Sequence, residues 1–98
     1  MYQQLSDLLK VKSVWLKACP IDHFHESQGI RRDDWGTLIR EKDYGNRDSQ
    51  YGWEIDHIVE KHKGGSDEIY NLRPLHWRNN LARNKKQNLS SLADLLTF

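Results

Sequence analysis

The side chains of this sequence that could do chemistry together lie between residues 53 and 86. An adjacent Asp56 and His57 end an alternating apolar stretch. Asn71, Asn80 and Asn84 follow, and their amides could also take part. An imidazole can accept a proton near neutral pH, and carboxylate and amide oxygens are hard ligands for a divalent cation. The segment therefore offers a base, metal ligands and, at its basic end, attraction for phosphate.

Charge is distributed unevenly along the chain, although the formal net charge is only +1. Residues 53–70 carry five acidic and two basic side chains, a net of −3, and residues 71–98 carry five basic and one acidic, a net of +4. An acidic pocket beside a basic helix would suit a cation site next to a phosphate-binding surface. A solvated helix face with unpaired basic residues is the alternative interpretation of the same pattern.

Two short strands and a helix are predicted to position these side chains. Residues 53–59 alternate apolar and polar, which indicates a strand that His57 interrupts near its end. Its inward side chains are expected to be Trp53, Ile55 and Val59, and those of the other, open face Glu54, Asp56 and Ile58. Pro74 limits residues 72–75 to a short or edge strand. Residues 76–86 are predicted to follow as a helix with Trp77 and Leu81 on its apolar face and with Asn80 and Asn84 on a common face.

Further elements are predicted on the N-terminal side of this unit. Residues 4–18 have near-helical apolar spacing, and Pro20 stops the run, so an amphipathic helix is expected within residues 1–20. Its stripe consists of Leu5, Leu8, Leu9, Trp15 and Leu16, completed by the stem of Lys12. Turn-rich sequence between residues 29 and 53 encloses a candidate strand at residues 37–40.

Residues 88–98 are predicted to form a short amphipathic end that could close the core over the N-terminal helix or dock a partner. Its apolar side chains are Leu89, Leu92, Leu95, Leu96 and Phe98, and Ser91 and Asp94 are set like a capping box.

Length and composition set the bounds of the prediction. With 98 residues, the chain is expected to form one domain over residues 1–98. A single cysteine, Cys19, excludes an internal disulfide and a Cys-rich zinc site. No stretch approaches the roughly 20 apolar residues that span a bilayer, and the N-terminus lacks signal-peptide order, so we expect a soluble, cytoplasmic protein. Four tryptophans are expected to be core anchors rather than base-stacking platforms: Trp15, Trp35, Trp53 and Trp77.

The sequence around these residues resembles the HNH endonuclease family. The resemblance is carried by Asp56-His57-Ile58, Gly64-Gly65, Asn71-Leu72, Leu75-His76-Trp77 and Asn80. It covers residues 30–87, with the core motif at 53–86, and residues 44–54 are similar to a small subgroup of the family. The resemblance implies an α+β fold: a ββα-metal hairpin-plus-helix core that holds one divalent cation, with a turn-rich β region and flanking N- and C-terminal helices.

The resemblance also implies roles for the candidate residues. His57 matches the general base that takes a proton from the attacking water, and Asp56 matches the neighbouring metal-binding carboxylate. The alternatives that involve no catalysis are a core histidine satisfied by hydrogen bonds at position 57 and a surface aspartate paired with Lys or Arg at position 56. Asn71 matches the central asparagine, which ties the loop after the first strand in place through backbone hydrogen bonds; a plain turn residue is the alternative.

Asn80 falls where the family places its final His or Asn ligand, so the chain is similar to the His-Asn-Asn variant. The candidate catalytic residues are therefore His57, Asn71 and Asn80, and the candidate metal ligands are Asp56, Asn80 and Asn84. Asn84 corresponds to an additional ligand in some relatives, with an exposed amide as the alternative. Asp and Asn oxygens favour Mg²⁺, with Mn²⁺ as a substitute, over Zn²⁺ or Ni²⁺. His76 is expected to pack or hydrogen-bond at the start of the helix.

The activity implied by the resemblance is metal-dependent hydrolysis of DNA phosphodiester bonds. His57 would activate water opposite the departing 3′-oxygen while a cation on Asp56 and Asn80 stabilises developing charge, which leaves 5′-phosphate and 3′-hydroxyl ends. The residues expected to grip the DNA backbone are Arg73, Arg78, Arg83, Lys85 and Lys86. Nicking or cleavage of duplex DNA with weak sequence preference is expected.

Two other classes of function stay open at this point. The chain could be a DNA-binding module or a nuclease subunit of a larger assembly, or it could be a toxin effector nuclease domain that is held by an immunity protein. The oligomeric state is not predicted.

Overall fold

The computed structural model describes residues 2–96, with side chains described for residues 2–86. In chain order the elements are α1 (Tyr2–Trp15), α2 (His23–Ser27), β1 (Ile30–Arg32), β2 (Leu38–Arg40), β3 (Trp53–His57), β4 (Leu72–His76) and α3 (Trp77–Leu96). Short 3₁₀ turns lie at Glu41–Asp43, Lys61–Lys63 and Ile69–Asn71. β1 pairs with β2 and β3 pairs with β4, both antiparallel, so the predicted α+β class is confirmed.

Strands β3 and β4 form the hairpin that carries the candidate site. Trp53 faces His76 at one end of the register, and His57 faces Leu72 at the other. The predicted strand faces were wrong at two positions, because Val59 is 49% exposed and Asp56 only 4% exposed. The face that was expected to be open is covered by α3, whose side chains bond to Glu54 and Asp56.

The hydrophobic core lies between the end of α1, strand β2 and the β3–β4 hairpin. Its buried members are Val14, Trp15, Ala18, Ile39, Trp53 and Leu72. The rings of Trp15 and Trp53 pack with their centroids 5.5 Å apart. Trp35 is 49% exposed, so the expectation that all four tryptophans anchor the core was wrong for this one.

Helix α1 contacts the core through a different stripe from the predicted one. Val11, Val14, Trp15 and Ala18 pack inward at helical spacing. Four leucines of the predicted stripe are exposed instead: Leu5, Leu8, Leu9 and Leu16. The residues of α1 that belong to the core lie at its C-terminal end. Its earlier turns line a groove with Glu41, Lys42 and Tyr44, which leaves these leucines exposed.

Asp33 ties the β1–β2 turn to the start of α3. Its Oδ1 accepts hydrogen bonds from the backbone N–H groups of Trp35 and Thr37, and its Oδ2 accepts from the N–H of His76 and the amide of Asn79. The carboxylate is 3% exposed, and these four bonds satisfy it inside the protein. Asp33 thereby fixes the position from which α3 leaves the hairpin.

Helix α3 begins at Trp77, one residue later than predicted, and continues as one helix to Leu96. His76 caps it: Nδ1 accepts from the N–H of Arg78 at 3.0 Å, and Nε2 bonds to the carbonyl of Gln50 at 2.8 Å. Leu81 is 42% exposed, so the predicted apolar face was wrong at this position.

Ser91 does not cap a new helix as its setting suggested, because α3 continues through it to Leu96. The side-chain predictions for residues 88–98 lie outside the described side chains. Among the helices of residues 2–96, none is both long and apolar enough to cross a membrane.

Candidate active site

A cavity of about 440 Å³ opens between β3, the loop after it and α3. Its lining residues are Ile55, Asp56, His57, Glu60, Lys61, His62, Asn80, Arg83 and Asn84. Four predicted site residues therefore come together here, two from the strand end and two from the helix. Asn71 does not line the cavity but supports the loop beside it.

His57 is held by a carboxylate from the loop. Its ring is 26% exposed, and its Nε2 lies 2.8 Å from Oδ1 of Asp67. An ionised carboxylate can only accept, so Nε2 is the donor in this bond. Nδ1 is then the ring nitrogen that carries a lone pair in the neutral imidazole.

Asp67 stays ionised well below neutral pH. The hydrogen bond from His57, followed by that from Lys61, lowers the pKa of Asp67 from 3.8 to about 2. The Nζ of Lys61 lies 3.1 Å from Oδ2 of Asp67, so the two carboxylate oxygens have separate partners. Asp67 can therefore fix the orientation and tautomer of His57 at any working pH.

Asn71 braces the loop that follows β3. Its Oδ1 accepts from the N–H of Val59 at 2.8 Å, and its Nδ2 donates to the carbonyls of Val59 at 3.0 Å and Ser66 at 2.8 Å. The carbonyl of Asn71 also accepts from the N–H of Ile58 at 2.8 Å. These are the backbone bonds that the resemblance implied; a role in catalysis stays a prediction.

Two glycines let this loop close tightly against Asn71. Gly64 has φ +91°, a conformation that side chains with a Cβ rarely adopt. A Cβ on Gly65 would lie 1.8 Å from the carbonyl oxygen of Val59 and 2.9 Å from Nδ2 of Asn71. The Gly64-Gly65 pair is thus a steric requirement of the loop that carries Asp67.

Asn80 is oriented by Glu54. Its Nδ2 donates to Oε1 of Glu54 at 2.9 Å, which leaves its Oδ1 as the group that can face a cation. Arg47 holds Glu54 from the other side through bonds of 2.7 and 3.0 Å. Arg47 first, and Asn80 to a lesser degree, lower the pKa of Glu54, so this carboxylate stays an acceptor.

Asp56 is enclosed between two guanidinium groups. Its Oδ2 lies 2.8 Å from Nε of Arg73, its cross-strand neighbour, and its Oδ1 lies 2.8 Å from Nη1 of Arg83 on α3. The side chain is 3% exposed. Arg83 also donates to the carbonyl of Ile58 at 2.9 Å. The arrangement ties β3, β4 and α3 together and corresponds to the alternative of an Arg-paired aspartate.

Glu60 is buried without a hydrogen-bond partner. It is 9% exposed, and neither of its carboxylate oxygens is hydrogen-bonded among the described residues. Nε2 of His62 lies 2.8 Å from Oε2 of Glu60, close enough for an ion pair but not aligned as a hydrogen bond. A carboxylate in this state is available to a cation.

The residues predicted to bind the DNA backbone fall into two groups. Arg73 and Arg83 are engaged with Asp56, as described above. Arg78, Lys85 and Lys86 are exposed, and the guanidinium of Arg78 lies 4.9 Å from the ring centroid of Trp77. The exposed group is the one that can reach a phosphate without breaking a side-chain hydrogen bond or ion pair seen among the described residues.

The donor set fits a hard divalent cation. Carboxylate and amide oxygens line the cavity, and the unpartnered Glu60 oxygens are groups that a cation would satisfy. Within residues 2–86, no three His, Cys, Asp or Glu side chains converge as a ready-made metal cluster, so a cation here would rely on amide oxygens as well.

The ββα arrangement with an imidazole at the strand end is the class of site found in HNH nucleases. The family model described as HNH endonuclease matches residues 41–86. This match confirms the resemblance to the HNH endonuclease family over residues 41–86. Comparison with curated proteins and with solved structures found no match. HNH nucleases act on DNA and generally use a divalent metal.

Three residues of the site were missed by reasoning from sequence: Glu54, Glu60 and Asp67. No local pattern marks Asp67, because its partner is ten residues away across a loop. Glu60 could have been noticed as a charged residue after the apolar Ile58-Val59 pair, but its burial depends on the loop closing over it.

Proposed function

We propose that this chain is a metal-dependent endonuclease that hydrolyses DNA phosphodiester bonds, with His57 as the general base. The observation that carries the proposal is the His57–Asp67 pair at the edge of a polar cavity. A histidine whose Nε2 donates to a fixed carboxylate presents one defined lone pair, as a general base requires.

In the proposed reaction His57 removes a proton from a water molecule, whose oxygen attacks phosphorus. The bond between phosphorus and the 3′-oxygen breaks, and the leaving oxygen takes a proton from solvent. Asp67 stabilises the imidazolium that forms, because its carboxylate already accepts from Nε2 at 2.8 Å. The products carry 5′-phosphate and 3′-hydroxyl ends.

When bound, a divalent cation, Mg²⁺ or in its place Mn²⁺, would supply positive charge that offsets the negative charge developing in the transition state. The cavity residues proposed to hold it are Asn80 and Asn84 together with one of the two buried carboxylates that line the cavity, Asp56 or Glu60. Asn80 is positioned for this by Glu54, which accepts from Nδ2 and so turns Oδ1 away from itself. Asn71 contributes by holding the loop that carries Asp67.

The proposed substrate is duplex DNA with little sequence preference. Arg78, Lys85 and Lys86 lie exposed on the helix that also carries Asn80 and Asn84, and their charges would attract the phosphate backbone to this helix. Contacts to phosphate carry no sequence information. One cavity cuts one strand, so a nick is the expected first product.

The test is cleavage of supercoiled plasmid with Mg²⁺, Mn²⁺, Zn²⁺, Ni²⁺ or a chelator. Nicking with Mg²⁺ or Mn²⁺ that the chelator abolishes is expected, and DNA ligase should reseal the nicks without prior kinase treatment because the ends are 5′-phosphate and 3′-hydroxyl. Metal-independent nicking, or nicks that need end repair before ligation, would contradict the proposed chemistry.

A further inference from the structure

The cavity contains two buried carboxylates in opposite states. Both oxygens of Asp56 accept from guanidinium groups, Arg73 on one side and Arg83 on the other, each at 2.8 Å. Neither oxygen of Glu60 accepts a hydrogen bond from any described residue, although its side chain is nine-tenths buried. Glu60 is therefore the one of these two carboxylates whose oxygens accept no hydrogen bond from the described residues.

A cation would meet different surroundings at the two carboxylates. At Asp56 it would face two fixed positive charges and would have to displace Arg83, which would also lose its bond to the carbonyl of Ile58. At Glu60 the side chain that forms an ion pair with the carboxylate is His62, which is 71% exposed and can turn into solvent without unpacking. Lys61 lines the same cavity, but its Nζ is paired with Asp67. Binding at Glu60 breaks no hydrogen bond that the structure shows.

Glu60 is also held in place by its backbone. Its carbonyl accepts from the N–H groups of Lys63 and Gly65, each at 2.9 Å. The same loop is braced by Asn71, which bonds to Val59 directly before Glu60. A carboxylate on a backbone fixed in this way is organised before a ligand arrives, which lowers the cost of binding.

We infer that Glu60, rather than Asp56, supplies the carboxylate that binds the divalent cation in this chain. Asn80 and Asn84 complete the oxygen donors from α3, and Asp56 serves as the structural counter-ion of Arg73 and Arg83. This inference rests on the proposed metal-dependent function, and it assigns the ligand of that same cavity.

The experiment compares Mn²⁺ binding and thermal unfolding in the parent and in three variants that each remove one carboxylate charge: Glu60→Gln, Asp56→Asn and Glu68→Gln. Glu68 is exposed in the same loop and is the matched control. Mn²⁺ binding is measured by electron paramagnetic resonance of the free ion, and the Tm is measured with and without Mn²⁺. A cation that binds only the folded state raises the Tm.

The parent and Glu68→Gln are expected to bind Mn²⁺ equally and to show the same rise in Tm. Glu60→Gln should bind at least about 10-fold more weakly and lose the rise, while its metal-free Tm stays equal or increases because an uncompensated buried charge is gone. Asp56→Asn should lower the metal-free Tm, since Arg83 loses its counter-ion and Arg73 keeps only Asp34 at 3.6 Å, yet keep the rise.

Mn²⁺ affinity of Glu60→Gln equal to that of the parent would overturn the inference, and so would loss of the Mn²⁺ response in a folded Asp56→Asn. If Asp56→Asn does not fold, the comparison of Glu60→Gln with Glu68→Gln still decides. A parent that nicks plasmid with metal while Glu60→Gln binds like the parent refutes the inference alone. A parent that neither binds Mn²⁺ nor nicks refutes the proposed function with it.

Discussion

The Nε2 atom of His57 lies 2.8 Å from Oδ1 of Asp67, a residue ten positions later in the chain. The contact joins the end of β3 to the loop that returns to β4. It is made possible by the loop closing around the side chain of Asn71, which bonds to Val59 and Ser66. The imidazole and the carboxylate that orients it are therefore brought together by the fold of the loop.

Removal of the carboxylate charge at Asp67 is expected to lower the rate of cleavage. In Asp67→Asn the amide can offer Nδ2 to His57 and favour the wrong tautomer, so kcat should fall about 10- to 100-fold with little change in KM. Asp48→Asn makes the same change at an exposed aspartate and should behave like the parent. Rates of plasmid nicking under saturating metal measure the effect, and equal kcat for Asp67→Asn and the parent would contradict the orienting role.

The same pair predicts a pH dependence of stability. The pKa of Asp67 is lowered from 3.8 to about 2 in the folded protein, mainly by the hydrogen bond from His57. Because the folded pKa lies below the unfolded one, the pair stabilises the fold above about pH 4, and this contribution is lost as the pH falls through about 2. Urea unfolding of the parent and Asp67→Asn should show a stability difference at about pH 5 that shrinks towards pH 2. A difference that stays constant over this range would show that the Asp67 charge is not involved.

Asn71→Ala is expected to destabilise the fold. The substitution removes three side-chain hydrogen bonds and leaves the N–H of Val59 and the carbonyls of Val59 and Ser66 without this partner. The expected loss is about 2 to 4 kcal/mol in the free energy of unfolding, measured by urea denaturation. Gln50→Ala, at an exposed position, is the control and should change stability by less than about 0.5 kcal/mol. A similar small change for Asn71→Ala would mean that the loop holds without it.

The exposed basic residues of α3 predict a salt-dependent effect on DNA binding. Lys85→Ala combined with Lys86→Ala should weaken duplex binding uniformly across sequences and reduce the slope of log K against log salt by about 0.9 for each phosphate that the variant no longer neutralises. Fluorescence anisotropy in the His57→Ala background avoids cleavage during the titration. Lys42→Ala, which removes an exposed charge on another element, should leave the slope unchanged. An unchanged slope in the double variant would place the DNA elsewhere.

Much of the architecture follows from local sequence. Alternation over residues 53–59, the proline in the second strand and the helical spacing after His76 are each local signals, and each element begins within one residue of its predicted start, although α3 ends ten residues later than predicted. The faces of these elements were harder to predict. Which stripe of α1 is buried depends on where the hairpin lies, and the burial of Asp56 depends on Arg83 reaching it from α3.

For the candidate site as well, some residues could be predicted from the sequence and others could not. His57, Asp56, Asn80 and Asn84 line one cavity, as the spacing and the resemblance suggested. The partners of these residues could not be predicted, because Asp67 and Glu60 are placed by a loop whose path is set by Gly64, Gly65 and Asn71 together. The charge pattern of the sequence did not distinguish Arg73 and Arg83, which pair with Asp56, from Arg78, which is exposed.

The most direct test of His57 as the general base is to compare the nicking rates of His57→Ala and His23→Ala. The second variant removes an exposed imidazole from α2. Supercoiled plasmid is cut under single-turnover conditions with Mg²⁺, and circular dichroism confirms that both variants are folded. We predict that the nicking rate of His57→Ala is about 10²- to 10⁴-fold below that of the parent, while His23→Ala matches the parent. Equal rates for His57→Ala and the parent would contradict the assignment of His57 as the general base.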